Sequence, residues 1–158
     1  MVKSNSEGDL GRLIVKIQRT EGNEDINMPK YQTLGSAAVD LHAAVKENVT
    51  LNPGKIYLVF AGFKMEFPAG YVAEITPRSG LALKHGISIV NSPGIVDSDY
   101  RGEIGIILIN LGQEDYVVKR NDRIAQMNIK KVERAEFVES ELSETSRGAG
   151  GFGSTGRK

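Results

Sequence analysis

Asn91-Ser92-Pro93-Gly94-Ile95-Val96-Asp97-Ser98-Asp99-Tyr100-Arg101-Gly102-Glu103-Ile104-Gly105 sets a turn, a cluster of charge and the start of a strand in immediate succession. Pro93-Gly94 is a turn signal, because proline presets φ and glycine accepts φ > 0. Asp97 and Asp99 stand two apart and are followed at once by Tyr100, Arg101 and Glu103. Behind them Ile104 to Ile109 is nearly unbroken aliphatic, the mark of a strand covered on both faces. The stretch predicts a hairpin whose second arm carries charge and an aromatic ring at a mouth, then dives into a core. Alone, Asp-Ser-Asp beside glycine reads as a solvated turn. A calcium loop is excluded, since Arg101 stands at the third ligand position and the spacing to a closing Glu fails.

The totals fit such a chain. At 158 residues with 40% hydrophobic composition it is long enough for one domain with a core. Lys+Arg and Asp+Glu both number 20, so the net charge is zero. That argues against a general polyanion binder while permitting a local basic pocket for one anionic ligand. Cysteine is absent, which excludes disulfides, thiol catalysis and cysteine-ligated metals. No apolar run approaches a membrane span and the polar N-terminus carries no signal-peptide core. The expectation is a soluble cytoplasmic protein without a membrane or nucleic-acid partner.

Outward from the central stretch the chain reads as short strands and tight turns. Leu13 to Ile17 is the first β-type run, and Gly35 to Ala43 surrounds a single carboxylate, Asp40, with small residues. Strands follow at Leu51, Ile56–Phe60, Lys64–Phe67 and Tyr71–Thr76, separated by Asn52-Pro53-Gly54 and Pro68-Ala69-Gly70. Ser79 to Lys84 is the one helical segment, closed by Gly86. Further strands fall at Ile87–Val90, Ile95–Asp97, Glu103–Leu111, Tyr116–Val118, Arg123–Ile129 and Phe137–Val138. The fold class is therefore all-β, a sandwich or barrel with one short helix. The strand at Ile104–Ile109 is more apolar than one small sheet covers, and burial against other subunits explains it. The chain divides into a β domain, 1–140, and a flexible Gly-rich C-terminal tail, 141–158.

Several local patterns bear on chemistry. Gly148, Gly150 and Gly153 match G-x-G-x-x-G, but that fingerprint needs a strand before it and a helix after it, and only five residues follow. Gly151 to Lys158 approximates a P-loop with Arg157-Lys158 in place of Lys-Ser/Thr, and is rejected for the same reason. Read alone, the tail is a flexible end; read as a lid, its glycine N–H groups wrap anionic oxygens, Arg147 forks onto a phosphate and Phe152 stacks on a flat ring. Thr76-Pro77-Arg78-Ser79-Gly80-Leu81 combines a fixed turn, a serine placed to cap the helix and a glycine that admits a ligand, a phosphate site if it is more than a capped helix with a solvated Arg. Asn121-Asp122-Arg123-Ile124-Ala125-Gln126 puts an Arg and a Gln three apart on a strand, polar side chains of an edge strand unless partnered. His42 and His85 lack metal-ligand spacing and read as surface or capping residues.

Five of these pieces, in this order, resemble the motifs of the homotrimeric dUTP diphosphatase family: Ala37 to Ala43, Pro77 to Ala82, Gly94 to Glu103, Asp122 to Gln126 and Arg147 to Gly156. The likeness spans Pro29 to Gly156, and Asn121 departs from the glycine more usual before Asp-Arg. Asparagine tolerates the left-handed region, so the turn is expected to survive.

The resemblance implies a β jelly roll, a homotrimer with shared sites, and hydrolysis of dUTP to dUMP and pyrophosphate with Mg2+. Such an activity limits uracil incorporation into DNA and supplies dUMP for dTMP synthesis. It implies Asp97 as the base that activates water, Arg78, Ser79 and Gly80 on the phosphate chain, and Asn91, Gly94, Val96 and Tyr100 at uracil and sugar. Gln126 is implied at the phosphates, and Arg147, Phe152, Gly153 and Ser154 in the closing tail. No protein side chain is expected on the metal itself; Mg2+ is held by the triphosphate, with Asp40 and Gln126 around it. Two other readings stay open: a relative of the dCTP deaminases, which carry Arg-Ser-Ser where Arg78-Ser79-Gly80 stands here, and a non-catalytic binding protein of the same fold, which the intact Asp97 and the complete tail oppose.

Overall fold

The computed structural model describes residues 13–152 of the chain. Eleven strands and one helix occur among them. In chain order they are β1 (Lys16–Arg19), β2 (Val39–His42), β3 (Val49–Leu51), β4 (Ile56–Phe60), β5 (Phe63–Glu66), β6 (Tyr71–Thr76), α1 (Ser79–His85), β7 (Ile87–Ile89), β8 (Gly94–Val96), β9 (Gly105–Asn110), β10 (Tyr116–Val118) and β11 (Arg123–Lys131). A four-stranded sheet runs β2-β11-β6-β8 and a three-stranded sheet runs β4-β9-β7; two ribbons, β1-β5 and β3-β10, complete the architecture. The pairings are antiparallel throughout and no barrel closes. The jelly-roll-like all-β expectation with one short helix is met.

The core lies between the sheets. Leu41, Ala73, Ile75, Ala125 and Met127 come from the four-stranded sheet, and Val59, Ile87, Ile89, Ile106 and Leu108 from the three-stranded one. Phe63 and Met65 of β5 and Leu51 and Val118 of the β3-β10 ribbon close the ends. Each large aliphatic side chain buried this way contributes about 1.5–3 kcal/mol. Asn110 is fully buried among them, yet its side chain donates to Leu51 O (2.7 Å) and Glu114 O (2.8 Å) and accepts from Gly112 N–H (2.8 Å). A buried amide with its partners in place fixes the end of β9 rather than weakening it.

Two expectations change, and a third concerns one face of β9. Within one chain that strand is covered on one face only: Ile106 and Leu108, with Ile104 just before them, are buried, whereas Ile107 and Ile109 are half-buried, the face expected to meet other subunits. Their cross-strand neighbours on β4, Leu58 and Ile56, are 57% and 58% exposed, and Phe60 stands beside them. The Asn91–Pro93 turn is not a hairpin tip, because β7 pairs with β9 while β8 pairs with β6. The chain there leaves one sheet for the other, and the loop from Asp97 to Glu103 brings it back. Phe137–Val138 forms no strand; both side chains are exposed, and an apolar pair without a backbone partner has no ladder to join.

Residues 133–152 hold no helix or strand, and their hydrogen bonds stay within the segment. Among the described residues, no helix is long and apolar enough to cross a membrane.

Candidate functional site

Register on the four-stranded sheet builds the first half of the site. Gln126 of β11 pairs with Asp40 of β2 on one side and with Thr76 of β6 on the other. Directly opposed residues share a face, so Thr76, Gln126 and Asp40 form one polar row across three strands. Past Thr76 the chain turns through Pro77 into α1, and Arg78 is brought over that row. Arg78 Nε lies 2.9 Å from Asp40 Oδ1, and Arg123 Nη1 lies 3.3 Å from Asp40 Oδ2. Arg78 Nη1 also donates to Arg123 O at 3.0 Å. The Asp40 side chain is 13% exposed, so one half-buried carboxylate is shared by two guanidiniums. A net positive charge is left at the sheet surface, which suits an anionic ligand.

Arg78 itself, in extended conformation at φ −84°, occupies the capping position of α1, and no side chain caps the helix. The expectation that Ser79 caps it is therefore corrected: Ser79 is the first helical residue. The first helical N–H to be satisfied within the helix is that of Ala82, which donates to Arg78 O. Space is open around Gly80, so a ligand can approach the backbone there. At the other end Gly86 adopts φ 68° against the backbone of Gly112, too close for a side chain on either residue.

The second half of the site lies elsewhere. Asn91, Gly94 and Val96 line a small cleft with Ile75, Ile89 and Ile107. Around the strand, Val96, Asp97 and Tyr100 line a cavity of about 430 Å3 with Leu58, Phe60 and Ile107. Asp97 is exposed and begins a turn, its carbonyl accepting from Tyr100 N–H at 3.1 Å. The Tyr100 ring lies over Gly102, where a Cβ would come within 2.1 Å of the hydroxyl, and that hydroxyl donates to Glu103 O at 3.2 Å. Glu103 is a structural anchor: its carboxylate accepts from Thr20 Oγ and Gly62 N–H.

The two halves do not meet within one chain. Ile75 pairs with Gly94 and Ala73 with Val96, antiparallel. Arg78 therefore lies three residues beyond one end of this pairing and Asp97 three residues beyond Gly94 in the opposite direction. Continuing that register sets Asp97 opposite Val72, four strand residues, about 13 Å, from the polar row at Thr76. Arg147 and Phe152 form a third group: Arg147 Nε donates to Gly150 O at 2.8 Å within a local turn, and the Phe152 side chain is fully exposed. Gly153 and Ser154 lie outside the described residues.

Sequence reading missed Thr76, Arg123 and His42 as members of the cluster around Asp40. Arg123 was visible in the Asp-Arg-Ile-Ala-Gln pattern, but its pairing with Asp40 depends on sheet register. His42 is buried rather than at the surface, opposite Arg123 on β11, and its Nδ1 has no hydrogen-bond partner among the described residues. Burial pushes its imidazole below the ordinary pKa, with Arg123, Arg78 and Lys30 acting in the same direction and Asp40 opposing them. Among the described residues no cluster of three or more His, Cys, Asp or Glu could hold a metal ion by itself. His85, at the end of α1, stacks on Tyr116 with ring centroids 4.9 Å apart, as a capping-region histidine.

Comparisons with known proteins agree with this geometry. The chain is 52% identical over 145 residues to the deoxyuridine 5'-triphosphate nucleotidohydrolase of Caldanaerobacter subterraneus subsp. tengcongensis, covering 91% of this chain and 98% of that protein. It is 49% identical over 147 residues to the enzyme of the same name from Caulobacter vibrioides, covering 91% and 95%. Among solved structures, the Staphylococcus bacteriophage 80alpha dUTPase with dUpNHpp superposes with a TM-score of 0.75 at 26% identity, covering 90% of this chain and 98% of that one. A dUTPase from phage phi11 of S. aureus, studied for the coordination of a structural Mg(II) ion, shares the fold with a TM-score of 0.74 at 22% identity, covering 84% and 99%. The dUTPase family model matches residues 24–156, and with it the polar row, the Asp97 turn and the glycine-rich tail find their common context: the chain belongs to the dUTPase family.

Proposed function

We propose that this chain hydrolyses dUTP to dUMP and pyrophosphate in sites completed between copies of a homotrimer. The observation that carries the reading is the placement within one chain of the Asp97 turn and the Arg78–Asp40–Arg123 cluster toward opposite ends of the β6–β8 pairing, about 13 Å of strand apart. Neither half is a hydrolytic site alone. The uncovered apolar face formed by Ile56, Leu58, Phe60 and Ile107 supplies the surface through which copies would meet. That face continues into the Asp97 cavity, so covering it would bring a neighbour's residues to the base.

The roles follow from the chemistry. Asp97, exposed and acceptor-only when ionised, takes the proton of a water that attacks the α-phosphorus. The bond from that phosphorus to the bridging oxygen breaks, and the oxygen leaves with pyrophosphate. Arg78, with the N–H groups of Ser79 and Gly80 at the start of α1, holds the β- and γ-phosphates and stabilises the charge of the leaving group. Asn91, Gly94 and Val96 read the uracil edge, and Tyr100 packs against the sugar. Arg147 and Phe152, with Gly153 and Ser154, close over the phosphates and base from an arm comprising residues 141–158, beyond a β domain of residues 1–140. Asp40 and Gln126 offer oxygens of the kind that order the waters of Mg2+, a cation that keeps several waters and binds chiefly through substrate phosphates. When bound with the triphosphate, Mg2+ supplies neutralisation of its phosphoryl oxygens. With zero net charge and no long apolar helix among the described residues, the reading is a cytoplasmic enzyme acting on free nucleotide, with no nucleic-acid or membrane partner.

Pyrophosphate release measured across dUTP, dTTP, dCTP and UTP tests the activity, with dUTP expected to dominate. Ammonia release from dCTP would instead identify a deaminase. Asp97→Asn should retain dUpNHpp binding while kcat falls by about 10²–10⁴. Mixing inactive Asp97→Asn and Arg78→Ala chains after dissociation should restore activity, because some sites then receive both intact halves. No recovery from a mixed trimer, or a monomer that turns over dUTP, removes the shared-site reading.

A further inference from the structure

Asn121 does more than tolerate its turn. Its backbone lies in the left-handed region at φ 67°, between β10 and β11. Its N–H donates to Ala43 O at 2.9 Å. The side-chain amide bridges to a distant segment: Oδ1 accepts from Asn27 N–H at 2.8 Å and Nδ2 donates to Asp25 O at 3.1 Å. Arg120 reinforces the same contact. It forks onto the Asp25 carboxylate at 2.8 and 2.5 Å and donates to Gly22 O, Asn23 Oδ1 and Val45 O. Residues 22–27 are thereby tied to the turn that launches β11.

Two residues further on stands Arg123, whose guanidinium meets Asp40 and whose carbonyl accepts from Arg78. The placement of Arg123 thus sets both cations of the anion-binding face. We propose that Asn121 is a positioning residue for the triphosphate subsite, holding Arg123, and Arg78 through the Arg123 carbonyl, by its clamp on residues 25–27. A glycine at 121 would adopt the turn but leave Asn27 N–H and Asp25 O without this partner. The ligand assignment rests on the triphosphate reading of Arg78, while the clamp is independent of which base the enzyme accepts.

The experiment titrates the full chain with inorganic tripolyphosphate and, separately, with dUMP, both in Mg2+ buffer. Asn121→Gly should weaken tripolyphosphate binding about tenfold, the effect of loosening a charge-assisted contact. It should leave dUMP affinity unchanged and raise KM for dUTP while kcat holds. Asn121→Asp keeps the Oδ1 acceptor and the left-handed preference but loses the Nδ2 donor to Asp25 O, and should recover only part of the loss. If Asn121→Gly fails to fold, Arg120→Lys, which removes the fork on Asp25 from the neighbouring position, should give the same selective loss. Equal weakening of dUMP and tripolyphosphate overturns the proposal, as does no change in either or a wild-type chain that does not bind tripolyphosphate. A wild-type chain that binds tripolyphosphate selectively through Asn121 but releases no pyrophosphate from dUTP sinks the activity while sustaining the clamp.

Discussion

The polar row on β2, β11 and β6 and the segment from residue 133 onward are both rich in groups suited to phosphate, yet they are built on opposite principles. In the row, strand register places Asp40, Gln126 and Thr76 side by side, and ion pairs hold Arg78 and Arg123 before any ligand arrives. The entropy of ordering those side chains is spent in folding. In residues 133–152 the hydrogen bonds are local turns, and Phe137, Leu142 and Phe152 are almost wholly exposed. Ordering that segment costs about 1–2 kcal/mol per fixed residue, and only a ligand or a neighbour can offset it. If the rigid half recognises phosphate and the costly half closes over it, as proposed above, the pair would allow tight geometry in the closed state without slow product release.

The largest test of that contrast removes the costly half. Cutting the chain after Ser146 should leave thermal stability unchanged, since Arg147 to Phe152 contribute nothing to the core. Turnover of dUTP should fall about a hundredfold, the scale of a misplaced reacting geometry. Full activity in the truncated enzyme would end the lid assignment. The rigid half should fail differently: Asp40→Ala leaves two guanidiniums without their shared carboxylate and should cost about 2 kcal/mol of stability as well as raising KM. Thermal denaturation separates the two behaviours; an Asp40→Ala chain as stable as wild type would show the row is not preorganised by its ion pairs.

Amide exchange sharpens the comparison without mutation. Residues 141–152 should exchange fast in the free protein and slow on binding dUpNHpp with Mg2+, while the β11 amides stay slow in both conditions. Slow exchange in the free segment would contradict its lack of core contacts.

The smallest effect concerns the tie between residues 22–27 and β11. The Arg120 fork on Asp25 holds that carboxyl below its ordinary value. The folded chain then binds this proton less readily than the unfolded one, so the contribution to stability is complete above the ordinary value of 3.8 and lost as pH falls through the folded value. Asp25 is exposed, so solvent screening keeps the effect small. Melting temperatures below about pH 4 should decline less steeply in Asp25→Asn than in wild type. Identical slopes would show that the pair adds nothing.

Much of this molecule could be read from residues alone, for local reasons. Ile56–Phe60, Tyr71–Thr76 and Tyr116–Val118 are strands as expected, because β-branched and aromatic runs bounded by turn residues leave few alternatives. Gly86 closes α1 in the left-handed region and Asn121 keeps its turn at φ 67°, as their backbone preferences require. Ser79 defied its local signal: Arg78 takes the cap position, where its side chain is drawn to Asp40. The first strand starts at Lys16 rather than Leu13, because pairing with Glu66 sets its beginning. Composition, turn chemistry and motif order thus determined an all-β chain and the residue types of its chemistry. Tertiary structure alone decided that Asn91–Pro93 crosses between sheets, that His42 is buried, that Arg123 shares Asp40 with Arg78, and that Asp97 lies toward the other end of the β6–β8 pairing from both. Those facts depend on which strands pair and in what register, and register is set by contacts between residues far apart in the chain, which no local pattern encodes.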